Sequence, residues 1–271
     1  MQVKTEKLIE DVMGGSGLLE MLHRDMPIDS STFSIKEGKT YGLVIVDEVN
    51  GFATPGAGNL APRSFDPQIF LMVEETNKLA REFSRRNWPI IAFLDTHDPD
   101  KPEIPYPPHC IKGSGEENLV PDLQWLEEDK NAFLMRKDCI NGYIGGLQPD
   151  GSNLISDWVR KNGVQVMVVV GICTDICVLD FVVTALSARN HGSLPPLEEV
   201  VVYSKGCATY NLPVEAAKVG GALAHPQAIT HYMGLYIAKS RGALIADSIT
   251  FPEYVDIHAQ ESRSQLMLHA L

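Results

Sequence analysis

The run from Val164 to Val178, VQVMVVVGICTDICV, constrains the fold more than any other stretch of this chain. Its β-branched apolar residues describe a strand buried on both faces, as in a parallel sheet covered by helices. Gly171 closes the run, and Cys177 follows six residues later at the expected first turn of a helix. That puts a thiol at the C-terminal edge of a buried parallel strand, where open α/β sheets collect their chemistry. The unpaired N–H groups of a helix start favour thiolate over thiol. Cys177 is therefore a candidate nucleophile on position alone.

The rest of the chain repeats the same alternation. YGLVIVD from Tyr41 reads as a buried strand, and the following helix carries Ile69, Met72, Val73, Ala80 and Phe83 at helical spacing. PIIAFLD and AFLMRK are further strands, SNLISDWVRKNG a helix, and TDICVLDFVVTALSARN the helix after the central run. EEVVVYS, helical stretches near 213–239 and a last strand, ALIADSI, complete the pattern. Strands alternating with helices predict one three-layer α/β domain, a mostly parallel six-stranded sheet with helices on both faces. The domain is expected over residues 41–250. Residues 1–40 read as an N-terminal appendage: a helical MQVKTEKLIEDV, a glycine-rich joint at GGSG and a turn at DSSTF. That glycine cluster lacks the preceding strand and following Lys-Ser/Thr of a phosphate loop. Residues 251–271 read as a C-terminal extension.

Charge and cysteine usage narrow the function classes. Lys and Arg number 23 against 35 Asp and Glu, a formal net charge of −12, which argues against nucleic acid and anionic membranes as partners. No basic and apolar leader opens the chain and no apolar run reaches membrane-spanning length, so a soluble protein of the cytoplasm is expected, with the nucleus also open to it. Five cysteines, at 110, 139, 173, 177 and 207, contain no Cys-x-x-Cys pair and predict free thiols in a reducing compartment.

Three polar residues fall at or just past the C-terminal ends of separate strands: Asp47, Lys137 and Cys177. In a parallel sheet those ends share one rim, so a carboxylate, an ammonium and a thiol can converge there. The lysine would lower the thiol pKa, and the aspartate would accept the thiol proton and return it to a leaving amine. A capping aspartate, a solvated lysine and a core cysteine are the alternatives. A second set lies in the long proline- and glycine-bearing segment from Thr96 to Asn118, a length that is usually functional or disordered. Asp95 and His97 are two apart at a strand end and face one way. With His109 they form one carboxylate and two imidazoles, an open set suited to Zn²⁺, Fe²⁺ or Mn²⁺. A solvated His-Asp pair is the alternative.

Five motifs, VDEVNGF (46–52), LDTH (94–97), YPPHCIKGSGEENL (106–119), RKDCINGY (136–143) and GICTDICV (171–178), occur in an order and spacing that resemble the plant-type nicotinamidases of the isochorismatase-like cysteine hydrolase superfamily. The resemblance covers about residues 40–250. It implies that Asp47, Lys137 and Cys177 form a catalytic triad, that Asp95, His97 and His109 bind one divalent metal, zinc first and iron or manganese next, and that the Ile172–Cys173 bond is cis. It also implies an oxyanion hole from the backbone N–H groups of Cys173 and Cys177, with Phe52, Tyr106 and Tyr143 around a pyridine ring; core packing is the alternative for each aromatic. The activity implied is hydrolysis of nicotinamide to nicotinate and ammonia through a cysteine thioester, feeding NAD salvage. A small amide is the implied partner, and a homo-oligomer is left open.

Three features depart from the family pattern. Val49 stands where glutamine is common, Tyr106 where tryptophan is common, and no further histidine lies between His97 and His109. Neither triad nor metal set is lost, so substrate breadth is affected before catalysis. The competing readings are a sibling amidase or isochorismatase-type hydrolase, a non-catalytic binding or scaffold member, and a metallohydrolase in which Cys177 only packs.

Overall fold

The computed structural model describes residues 15–252 apart from 30, 102 and 221. The helix expected over residues 1–12 and nearly all of the C-terminal extension lie outside those residues. The main sheet has six strands: β2 (Tyr41–Val46), β3 (Ile90–Asp95), β4 (Ala132–Lys137), β5 (Val166–Ile172), β6 (Glu199–Ala208) and β7 (Leu244–Ala246). Their order is β4-β3-β2-β5-β6-β7, and every pairing is parallel. The sheet expected to be mostly parallel is thus wholly so. β2, β3 and β5 are buried at every residue, as strands must be when helices cover both faces.

The helices are α1 (Gly15–Asp25), α2 (Asn50–Ala53), α3 (Pro67–Arg85), α4 (Gly142–Gly145), α5 (Leu154–Asn162), α6 (Cys177–His191), α7 (Val214–Gly220) and α8 (Gln227–Ser240). Local chemistry sets their ends. Asp66 caps α3 by accepting from the Gln68 and Ile69 N–H groups, with Pro67 at the first helical position. Asn153 caps α5 in the same way, and Gly163 closes it at φ 64°. On one face of the sheet Ile69, Met72, Ala80 and Phe83 of α3 pack against Leu43, Ile45 and Val168. On the other, Trp158 and Val159 of α5 and Phe181 and Val182 of α6 pack against Val44, Val46 and Val169.

Three expectations need correction. ALIADSI breaks after Ala246, and Ser248–Thr250 forms a separate strand, β8. Its partner is β1 (Thr32–Ser34), inside the stretch read as a turn, in a parallel pair with Thr32 opposite Ser248. The GGSG segment read as a joint overlaps the start of α1 at Gly15. A three-residue strand carries too little periodicity to be read from sequence, and its partner lies more than two hundred residues away. Among the described residues no helix is long and apolar enough to cross a membrane.

One glycine matters for the site. Gly171 sits at φ 125°, and a Cβ added there would lie 2.1 Å from the Val46 carbonyl oxygen. The register of β5 against β6 shifts between Val169 and Gly171, just before Ile172 and Cys173. Gly171→Ala is expected to cost at least about 2 kcal/mol of stability through clash and left-handed strain, read by urea unfolding.

Candidate active site

The C-terminal ends of β2, β3, β4 and β5 bring the expected residues together. Asp47 follows β2 in the left-handed region, φ 52°, and the carboxyl of the next residue, Glu48, accepts from Thr76 Oγ1 at 2.6 Å. Lys137 ends β4 and is fully enclosed. Its Nζ lies 2.8 Å from Asp47 Oδ2 and 2.8 Å from Asp95 Oδ1, and it donates to the Cys139 carbonyl at 2.9 Å. The three donors of the ammonium thus face three acceptors. One lysine thereby ties the two residue sets that the sequence presents as separate.

The proton inventory follows from burial. Burial raises the Asp47 carboxyl to about 7; the neighbouring Asp95 charge adds to the rise, while Lys137 and the Cys177 thiol oppose it. Asp47 Oδ2 faces the Lys137 ammonium, while Oδ1 has no hydrogen-bond partner and is the oxygen open to a proton. Cys177 is also buried, and burial pushes its thiol well above the ordinary cysteine value, with Lys137 pulling the other way. The expected thiolate is therefore a thiol at rest. Desolvation of a sulfur anion outweighs one ammonium and one helix start.

Asp95 is held far below the usual carboxylate range: burial alone would raise it, but Lys137 and hydrogen bonds from His109 and His97 outweigh that. His97 Nε2 lies 2.9 Å and His109 Nε2 3.2 Å from Asp95 Oδ2. The long loop is ordered by bonds of its own. His97 N–H donates to the Cys110 carbonyl and Lys112 N–H to the His97 carbonyl, at 3.0 and 2.9 Å. The Glu117 carboxylate accepts from the Gly113 and Gly115 N–H groups.

A fourth donor was not anticipated. Glu103 Oε2 stands 3.5 Å from His109 Nε2 and 3.7 Å from His97 Nε2. One ligand atom from each of Asp95, His97, Glu103 and His109 lies within 4.8 Å of the others. Glu103 sits in an aperiodic loop, six residues from each histidine, and only a search for a carboxylate between them would have found it. The set fits a divalent cation. His109 Nδ1 faces the Pro107 carbonyl at 2.7 Å, which fixes its proton there and leaves Nε2 for a ligand. Burial would lower the His109 pKa, yet Asp95 and Glu103 lift it to about 10, the mark of a place that attracts positive charge.

The Ile172–Cys173 bond is cis. Among the described residues, neither the Cys173 nor the Cys177 N–H has a backbone acceptor, while the Cys173 carbonyl accepts from Ile176 and Val178. Phe52 and Tyr106 both pack on His109, with ring centroids 5.6 and 6.0 Å away. Tyr143 is placed differently: it packs on the α6 face of the sheet, with its hydroxyl 3.0 Å from Ser156 Oγ. All five cysteines are free.

Residues 41–229 match the isochorismatase domain. The chain belongs to the isochorismatase family. Within it, the chain is 56% identical over 236 residues to Nicotinamidase 1 of Arabidopsis thaliana, spanning 86% of this chain and 97% of that one. Among solved structures, the nicotinamidase PncA of Bacillus subtilis superposes with a TM-score of 0.57 at 22% identity, covering 77% of this chain and all of that one. The pyrazinamidase of Pyrococcus horikoshii in complex with zinc gives 0.54 at 21% identity, covering 76% and 98%. These structures share the three-layer fold of this family member, as the sequence predicts.

Proposed function

We propose that this isochorismatase-family chain is an amidohydrolase that converts nicotinamide to nicotinate and ammonia, with Cys177 as nucleophile, Asp47 as proton carrier and Lys137 as their electrostatic partner. The observation that carries the reading is the Lys137 bridge, 2.8 Å to Asp47 and 2.8 Å to Asp95. It couples a thiol and its base to a carboxylate and two imidazoles, an arrangement that neither a scaffold nor an amidase without a metal set requires. The Arabidopsis relative, a nicotinamidase over nearly its whole length, supports the choice of substrate.

Cys177 gives its proton to Asp47 as sulfur attacks the carboxamide carbon. The tetrahedral oxygen takes up negative charge where the Cys173 and Cys177 N–H groups lack other acceptors, an arrangement that removes ~3 kcal/mol or more from such barriers. Asp47 then protonates the departing nitrogen, the C–N bond breaks, and ammonia leaves a thioester on Cys177. Water attacks the thioester carbon, Asp47 takes the water proton, and the C–S bond breaks to give nicotinate. The proton returns to sulfur. Lys137 keeps Asp47 ionised enough to begin each half-reaction, and Phe52 and Tyr106 flank the pyridine ring.

Asp95, His97, Glu103 and His109 would hold one divalent cation, zinc by donor type. A cation held there would supply Lewis-acid chemistry beside the substrate. Dialysis against a chelator is expected to reduce ammonia release from nicotinamide, with recovery on adding Zn²⁺, Fe²⁺ or Mn²⁺. A chelator-treated protein shown by elemental analysis to be metal-free yet fully active would remove the cation from this account.

The state of Asp47 sets a pH dependence. Only its ionised form accepts the thiol proton, so kcat/KM is expected to fall as pH drops through about 7. A profile flat from pH 8 to pH 5 would be inconsistent with Asp47 as the base. Ammonia release from a panel of nicotinamide, pyrazinamide and carbamoyl amides tests the substrate assignment, which requires nicotinamide to be turned over with the highest kcat/KM.

A further inference from the structure

The segment that carries both proposed oxyanion N–H groups, Cys173 to Cys177, is fastened from outside by groups with no part in the steps above. Thr174 N–H donates to the Ala208 carbonyl at 2.9 Å, and Thr174 Oγ1 lies 2.8 Å from His231 Nδ1. Helix α8 lies directly on the segment, since a Cβ added to Gly234 would stand 2.9 Å from Asp175 Cα. Asp175, midway between the two cysteines, accepts from Thr209 Oγ1 at 2.7 Å and faces His225 Nε2 at 2.8 Å.

The other nitrogen of His225 faces an acceptor as well. Nδ1 lies 2.7 Å from the Tyr210 carbonyl, which only accepts; the Thr230 hydroxyl is farther, at 3.4 Å, and donates to the Pro226 and Gln227 carbonyls. The Asp175 carboxyl is held below its ordinary value: burial opposes this, but bonds from His225 and Thr209 prevail. With an ionised carboxylate on one side and a carbonyl on the other, both ring nitrogens must donate, so the ring is an imidazolium. The Tyr210 ring stacks on it at 3.9 Å and 13°, a cation over an aromatic face. Backbone bonds at 2.9 and 2.8 Å between Leu212 and His225 keep the two strands of this corner together.

We propose that His225 is a cationic positioning residue for the amidase reaction, holding Asp175 and, through it, the Cys173–Cys177 backbone N–H groups. The inference rests on the proposed function. His225 touches neither substrate nor sulfur. Burial pushes the Tyr210 phenol up to about 12, with Cys173 and Tyr106 adding to the rise, so the ring that stacks on His225 is neutral. When His225 loses a proton it must give up either Asp175 or the Tyr210 carbonyl, and the segment loosens. The charged and titratable neighbours are consistent with a stable cation. Asp175 approaches from the β5 exit and Tyr210 from the β6 exit. His231 of α8 is driven by burial down to about 4 and is neutral. Asp66 at the start of α3 is one step away through Gln227, whose Nε2 donates to Asp66 Oδ2 and the Tyr210-adjacent Thr209 carbonyl at 2.9 and 2.7 Å.

Two measurements test this. Imidazole ¹⁵N spectra of the full chain, assigned in the parent by correlation of each ring to its own backbone, are expected to show both His225 nitrogens protonated at pH 7.5, with deprotonation only at more alkaline pH. In steady-state assays on nicotinamide, His225→Phe and Asp175→Asn are each expected to lower kcat roughly 10- to 100-fold, as misplacement of reacting groups does. KM should stay within about threefold. The double variant should be no worse than the poorer single one, and the alkaline fall in kcat that follows His225 in the parent should vanish in His225→Phe. A neutral His225 ring at pH 7.5 overturns the inference even if the variants fail to fold. So does His225→Phe with parental kcat and pH profile. A parent chain that releases no ammonia from nicotinamide instead overturns the proposed function, and the ¹⁵N spectrum still decides the charge of His225.

Discussion

Lys137→Met is expected to lower kcat/KM for nicotinamide by at least about 10³-fold, comparable to the loss of one member of a catalytic set, and to destabilise the chain by ~3–5 kcal/mol, as removal of one partner from a buried ion pair does. Both effects come from one geometry. The ammonium is fully enclosed and faces Asp47 Oδ2, Asp95 Oδ1 and the Cys139 carbonyl, so methionine leaves buried Asp47 without a countercharge and Asp95 with its two histidines alone. Lys137 is also what most opposes the rise of the Asp47 carboxyl toward 7. Without it that value climbs further, less of the base is ionised at neutral pH, and the acid limb of the pH profile moves to higher pH. From sequence, loss of this lysine is expected to harm activity more than folding; its enclosure puts both at stake. Lys137→Arg separates the two. The charge remains, but a planar fork does not reproduce a compact ammonium among three acceptors, and a Cβ on neighbouring Gly145 would already stand 2.6 Å from Lys137 Cβ. Arginine should therefore recover part of the stability and little of the activity, as read by urea unfolding beside ammonia release.

The parts of this protein that were legible in its sequence are those written in periodicity. The runs at 41–46, 90–95 and 166–172 are buried throughout, and a double-sided apolar run has few other places to go. Because parallel strands share a rim, Asp47, Lys137 and Cys177 could be placed together without knowing which strands were neighbours. Asp95 and His97 converge for a similar reason, being two apart at the end of β3.

What escaped notice depends on contacts between distant, aperiodic segments. Glu103 joins the histidines because a proline-rich loop folds back on itself, and nothing in its local pattern separates it from a solvated glutamate. β1 and β8 pair across most of the chain length. His225 is an ordinary histidine until Asp175 and the Tyr210 carbonyl are seen on its two nitrogens. The resting state of Cys177 is hidden from the sequence for a different reason. Motif position specifies neighbouring charges but not the depth of burial, and here burial is the larger influence on the thiol.

The covalent route stands on Cys177, and Cys177→Ala tests it with little risk to the fold, since a small, buried side chain at the first position of α6 loses one sulfur atom. The variant keeps Asp47, Lys137, the four candidate metal ligands and the backbone N–H groups. A reaction in which metal-bound hydroxide attacked the amide would therefore proceed almost unimpaired. A reaction through a thioester would not, and in enzymes whose nucleophile acts as one unit with its base such a loss costs about 10⁴-fold or more in kcat. The deciding measurement is ammonia release from nicotinamide by Cys177→Ala, metal-loaded to the same content as the parent and verified as folded by its unfolding transition. The account predicts a rate at least about 10⁴-fold below the parent; a rate within about tenfold of it would contradict Cys177 as the nucleophile.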